Sequence, residues 1–177
     1  MPQLPTQDHI DQIRALNYKY LYSNLSEAQR QNGFIRIEYS RSDLQAIITH
    51  KEIVVAIIND IVVGYYLIGR MSGNTALDYQ KTKAMSLFSS REIPFEQIGY
   101  GCQVCIDEAY RNNGLFAQML QALVRQVKDK YHYLLCSVSD DNSVSKETHT
   151  KNGWQLIDVL DGTNFYIFDT HKSILTK

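Results

Sequence analysis

Two runs of apolar, largely β-branched residues, Ile53-Val54-Val55-Ala56-Ile57-Ile58 and Ile61-Val62-Val63-Gly64-Tyr65-Tyr66-Leu67-Ile68, flank the pair Asn59-Asp60 and constrain the fold more than any other feature. Asn and Asp tolerate the left-handed backbone of a two-residue turn, so the runs read as a tight β-hairpin. A hairpin with one wet face would alternate apolar and polar residues. This one is apolar at nearly every position, so it must sit centrally with both faces covered. The chain has 177 residues, 44% of them hydrophobic, with 9 Gly and 3 Pro. That is enough to supply the covers within a single domain over residues 1–177.

The covers are visible as helical periods. Ile10, Ile13, Leu16, Tyr20 and Leu21 define a helix between Gln7 and Asn24 that turns Arg14 and Lys19 to water. Leu115, Met119, Leu123, Val124 and Val127 define a second, longer one, with Gln118, Gln121, Arg125 and Lys128 on its polar side. Alternation predicts a strand over residues 33–39, and Ser42-Asp43 caps a short helix from Leu44 to His50. A long connection over residues 70–96 holds a helical piece at 78–88, a loop of the kind that often binds substrate. Strands follow at 100–106 and 133–139, then a helix at 143–152 stopped by Gly153 and a last hairpin turning on Asp161-Gly162. Tyr18, Tyr20, Tyr22, Tyr65 and Tyr66 fall on faces expected to be buried. The order is that of an α/β (α+β) domain with a mixed sheet.

Charge excludes one class of partner. With 18 Lys plus Arg against 19 Asp plus Glu, the net charge is -1, and no basic surface is expected to grip nucleic acid. The longest near-apolar stretch is interrupted by Asn59-Asp60, so no membrane span is expected. The start of the chain lacks the cationic and apolar parts of a secretory signal. An odd set of 3 Cys suits reduced thiols and a cytoplasmic home. Cys102 and Cys105 match CxxC, with His132 and Cys136 as further metal-ligand types, but strand geometry opposes a shared ion. Residues three apart on a strand face opposite ways, and four apart spans roughly 13 Å. No metal is expected.

The chemistry concentrates where a strand runs through a turn into a helix, at Cys105-Ile106-Asp107-Glu108-Ala109-Tyr110-Arg111-Asn112-Asn113-Gly114-Leu115-Phe116. A helix N-terminus offers unbonded amides and a positive dipole end, which suit a phosphate. Neither GxGxxG nor GK[ST] occurs, so dinucleotide-binding and Walker readings fail.

Arg111-Asn112-Asn113-Gly114-Leu115-Phe116 resembles the cofactor loop of the Gcn5-related N-acetyltransferases (GNAT), Arg/Gln-x-x-Gly-x-Gly/Ala at the start of a helix. In the family an Asn follows the next strand, with a small residue three on, an aromatic acid seven on and Gly-Phe eleven on. Here those are Asn142, Ser145, His149 and Gly153-Trp154. Phe116 departs from the small residue of the loop, and His149 stands where the family has Tyr. The resemblance implies a largely antiparallel sheet with helices on both faces and acetyl-CoA lying between a splayed strand pair, 100–106 and 133–139. It also implies direct attack of an amine on the thioester in a ternary complex. Backbone groups of Cys105 and Ile106 would align the pantetheine arm and polarise the carbonyl. Arg111, Asn112, Asn113, Gly114, Leu115 and Phe116 would hold the pyrophosphate, Asn142 would brace the arm, and Ser145 faces the same way as His149. His149 would protonate the leaving sulfur; imidazole titrates at about 6.5 and phenol at about 10. The strand 100–106 has no carboxylate, which leaves Glu96 and Tyr100 as candidates for general base. Small molecules and peptides are both possible acceptors. The rival reading is a CoA-binding module without turnover, motivated by Phe116 and the missing carboxylate.

Overall fold

The computed structural model describes residues 1–69, 75–89 and 93–172. Its helices are α1 (Ile10–Lys19), α2 (Glu27–Arg30), α3 (Arg41–Thr49), α4 (Thr75–Ser89), α5 (Leu115–Val127) and α6 (Ser143–Lys151). Its strands are β1 (Ile53–Ile58), β2 (Ile61–Ile68), β3 (Ile98–Tyr100), β4 (Cys102–Ile106), β5 (Tyr133–Ser139), β6 (Gln155–Leu160) and β7 (Thr163–Asp169). They form two compact units, one from Met1–Ile68 with Gln103–Val127, the other from Gly69–Cys102 with Lys128–Lys177.

The first unit is built on the predicted hairpin, in the sheet order β1-β2-β4. Asn59 and Asp60 both adopt the left-handed conformation, with φ of 50° and 60°, as a primed turn demands. Apart from Ile61 at its start, every residue of β2 is buried, and adjacent side chains identify the two covers. Tyr65 accepts a hydrogen bond from Asn17 of α1 at 2.8 Å, while the Tyr66 ring lies 5.5 Å from Phe116 of α5. Neighbouring residues of a strand point to opposite faces, so α1 and α5 cover opposite sides. Gly64 lets α5 come close: a Cβ there would lie 3.3 Å from Met119 Cε and 3.2 Å from the Cys105 carbonyl. Each large apolar side chain buried in this way contributes about 1.5–3 kcal/mol.

The second unit holds the sheet β3-β5-β7-β6. β3 runs parallel to β5, whereas β5 with β7 and β6 with β7 are antiparallel. Asp161 and Gly162, at φ of 48° and 72°, close the last hairpin as expected. Phe88, Ile98, Tyr100, Leu135 and Ile167 form its core. Gly99 fits closely there: a Cβ would crowd Leu134 Cδ2 at 2.9 Å and Tyr131 Cδ2 at 3.0 Å.

Five expectations change. The strand over 100–106 is two strands, divided at Gly101 (φ 75°), which pair in different sheets. Burial alternates only over residues 35–39, with Phe34 buried beside Ile35, and residues 33–39 form no strand. Their polar groups go instead to a bridge between Leu21 and Ile35 and to Asn17, which donates to the Ile37 carbonyl at 3.0 Å. The first helix stops at Lys19, and Tyr18 is 60% exposed. The cap of α3 is Ser40; Asp43 is its capping-box partner, accepting the Ser40 amide at 2.8 Å.

Candidate functional site

The turn from β4 into α5 is pinned from behind and open in front. Arg111 donates through Nε to the Ile106 carbonyl at 2.8 Å and through Nη1 to the Asn32 carbonyl at 2.5 Å. Its guanidinium also lies 4.7 Å from the centre of the Tyr20 ring. The Tyr20 hydroxyl accepts the Glu108 amide at 2.8 Å. Lys19 pairs with Asp107 at 2.8 Å, and the other Asp107 oxygen accepts the Ala109 amide. Partial burial alone would raise the Asp107 carboxyl, but Lys19, the Ala109 amide and Arg111 together hold it below its ordinary range. The hydrogen bond to Asp107 raises the Lys19 ammonium in return.

In front, Asn112, Asn113 and Gly114 are exposed. Asn112 and Gly114 take φ of 62° and 72°, and nothing lies within 4 Å of a Cβ placed on Gly114. The Gly114 carbonyl accepts the Gln118 amide, so the amides of the first turn, Leu115 to Ala117, lie outside the intrahelical ladder. Phe116 is buried with its ring against Tyr66. Its bulk is therefore turned into the core, and only its backbone belongs to the loop's surface. Among the described residues β4 has β2 as its one hydrogen-bonded neighbour, and the Cys105 thiol, pushed up to about 12 by burial, is inert within the core.

The Arg111 side chain is thus committed to two backbone carbonyls behind the loop. Lys19, Tyr20, Asn32 and Asp107 were missed by sequence reasoning. Tyr20 and Glu108 lie 88 residues apart, and no local pattern announces such a pairing.

The second unit holds the other candidates. Asn142 is the N-cap of α6, its side chain accepting the Ser145 amide at 3.2 Å. His149, 4% exposed, is packed edge-on against Trp154 at 5.3 Å and stacked with Tyr166 at 6.0 Å. Its Nδ1 is 2.7 Å from the Ser145 carbonyl, a contact that places the ring proton on Nδ1, and 3.3 Å from the Ser145 hydroxyl. Burial lowers its pKa from 6.5 to about 4, against the smaller raising effect of that carbonyl. The neutral ring keeps its lone pair on Nε2 and has no second proton to give. The environment of His149 is that of a buried imidazole, which disfavours the protonated form that the expected acid role needs. Tyr100 is likewise a core residue, stacked on Phe95 at 5.4 Å. Glu96 is exposed in the short turn Phe95–Gln97.

A profile of the acetyltransferase (GNAT) family matches residues 18–154. The chain belongs to that family and is one of its acetyltransferases. Comparison with curated protein sequences gives no match. Solved structures share the fold. The yncA protein of Salmonella typhimurium, solved with its cofactor acetyl-CoA, has a TM-score of 0.64 at 13% identity over 100% of this chain and 97% of its own. An N-acetyltransferase from Staphylococcus aureus Mu50 scores 0.63 at 18% identity over 96% and 98%. The PaiA N-acetyltransferase of Thermoplasma acidophilum, in complex with coenzyme A, scores 0.64 at 13% identity over 96% and 98%. Among the described residues no helix is long and apolar enough to cross a membrane.

Proposed function

We propose that the chain transfers an acetyl group from acetyl-CoA to an amine by direct attack in a ternary complex, residues 1–177 acting as one domain. The start of α5 carries this reading: an exposed Asn112-Asn113-Gly114 turn, braced from behind, leading into first-turn amides and a dipole that favours an anion. The pyrophosphate of acetyl-CoA suits this open cradle, since Gly114 leaves room in front and the Phe116 side chain points inward. A family match running from 18 to 154 passes through both compact units, which supports the single-domain reading.

Acetyl-CoA supplies an acetyl group activated as a thioester. Asn112, Asn113, Gly114 and the backbone of Leu115 and Phe116 hold its pyrophosphate, and Arg111 keeps that loop in shape. Cys105 and Ile106 offer backbone groups along the edge of β4. Asn142 and Ser145 build the first turn of α6, and His149 positions that helix as a neutral ring. Glu96, the exposed carboxylate among the candidates, takes the amine proton directly or through water. The acceptor is a small-molecule or peptide amine. The buried, reduced thiols Cys102, Cys105 and Cys136 fit a cytoplasmic setting.

Thermal unfolding with acetyl-CoA, NADH and ATP in parallel tests the reading. A rise with acetyl-CoA alone is expected, worth about 2.7 kcal/mol at a hundred times the dissociation constant. An amine panel read by thiol release then separates transfer from mere binding. Stabilisation without release for any amine favours the CoA-binding module, and no stabilisation at all refutes both.

A further inference from the structure

We propose that His132 and His171 form a surface site for one divalent transition-metal ion of the imidazole-preferring kind, such as zinc. The strand pairing builds the site. Tyr133 of β5 stands opposite Asp169 of β7, and beyond the strand ends the Thr170 amide donates to the His132 carbonyl at 3.0 Å. The ladder thus continues past both strands and fixes the backbone at His132 next to that at His171. Asp169 extends the constraint, its carboxylate accepting the His171 amide at 2.9 Å.

The two rings are exposed and lie 4.6 Å apart, centre to centre, inclined by 57°. Zinc sits about 2.0–2.1 Å from an imidazole nitrogen, hence roughly 3.2 Å from the ring centre. Two rings on one ion at angles between right and tetrahedral are then about 4.5–5.2 Å apart, which includes the separation found. The ring separation is thus compatible with a shared ion.

A buried hydroxyl selects the tautomer. Thr170, 4% exposed, donates its single proton to the Tyr131 carbonyl at 2.6 Å. Toward His171 Nδ1, at 3.2 Å, the hydroxyl is therefore an acceptor and Nδ1 carries the proton. The lone pair of His171 falls on Nε2. A partner that fixes the far nitrogen in this way is what oriented metal-binding histidines usually have. Among the described residues no group of three or more His, Cys, Asp or Glu converges, so water completes the coordination shell. Two neutral nitrogens suit zinc, copper(II) or nickel and give magnesium or calcium nothing they prefer.

Titration calorimetry of the full chain with zinc chloride, and with magnesium chloride as control, tests the site. One zinc per chain and no magnesium heat are expected. His132→Ala and His171→Ala, both at exposed positions, should each abolish that event. Thr170→Val should weaken it about tenfold, in the range found for such second partners, while circular dichroism shows the fold kept. His9→Ala, at a separate, half-buried histidine, should leave it unchanged. Zinc binding that persists in the double variant His132→Ala/His171→Ala would overturn the proposal, as would no zinc heat at millimolar concentration.

Discussion

The chain turns from a strand into a helix at two comparable corners, β4 into α5 and β5 into α6, and finishes them oppositely. At the second, Asn142 supplies its own side chain to the Ser145 amide, so the helix start is closed by the protein. At the first, the residue in that place is Gly114, which has no side chain to give and stands in open space. One helix is completed from within the sequence, while the other starts at a residue with no side chain to cap its first-turn amides. The same contrast runs deeper into each helix. Phe116 and His149 both turn inward, but Phe116 buries an apolar ring, whereas His149 buries a titratable one whose charged form the core disfavours.

That last difference gives the largest measurable effect. His149 has a folded pKa of about 4, below the unfolded value of about 6.5. Between these values the unfolded chain holds the proton and the folded chain does not, so stability must fall as pH falls. The contribution is fully present above about pH 6.5 and lost by about pH 4, a change of about 3 kcal/mol. Urea unfolding of the parent and of His149→Phe across this range reads it directly. Near pH 7 the variant should be the less stable, because the Ser145 carbonyl loses its donor, and the gap should close on acidification. Parallel curves would mean that folding leaves the proton affinity of His149 unchanged. Turnover of the variant should stay within a few fold of the parent, where loss of a general acid would cost at least about a hundredfold.

Exchanging the two finishes sharpens the comparison next. Gly114→Asp places a carboxylate at the open helix end. Asp visits the left-handed region more readily than most residues, there is room for its Cβ, and the helix dipole favours its charge. Stability should stay within about 1 kcal/mol. Acetyl-CoA affinity, read by calorimetry, should nonetheless fall at least about tenfold, since the carboxylate repels the pyrophosphate and competes for the same amides. Asn142→Ala should do the reverse, costing about 1 kcal/mol of stability through the lost cap with little change in affinity. If both substitutions act alike, the corners do not differ in function.

The sequence announced much of this and missed a definable part. Periodicity and turn chemistry place the β1–β2 hairpin, α5, β5 and the last hairpin, because each of these is specified by residues close together in the chain. Residues 33–39 show the limit. Alternation reveals which side chains are buried, as at Ile35, Ile37 and Tyr39, but not whether the backbone finds a strand to pair with, which depends on α1 and its Asn17. The division at Gly101 was hidden for the same reason, since it rests on two sheets competing for one extended segment. In the site, the open turn was legible from Asn112 to Gly114. The surroundings of Arg111 and His149 were not, because the Asn32 carbonyl and the Tyr166 ring are brought to them by folding.

The anchors behind the open corner give the smallest effect and the finest test. Lys19 and Asp107 are joined across 88 residues, yet the Lys19 side chain is 51% exposed, and exposed ion pairs contribute 1 kcal/mol or less. Lys19→Met should therefore lower stability by less than about 1 kcal/mol, and added salt should shrink even that. Tyr20 still holds the Glu108 amide and faces Arg111, so the turn should keep its shape and acetyl-CoA affinity should drop by no more than about threefold, below 1 kcal/mol. Should Lys19→Met weaken acetyl-CoA as much as Gly114→Asp does, the brace behind the loop would matter as much as the amides in front of it. The difference between the two corners would then lie in how they are held, not in how they are capped.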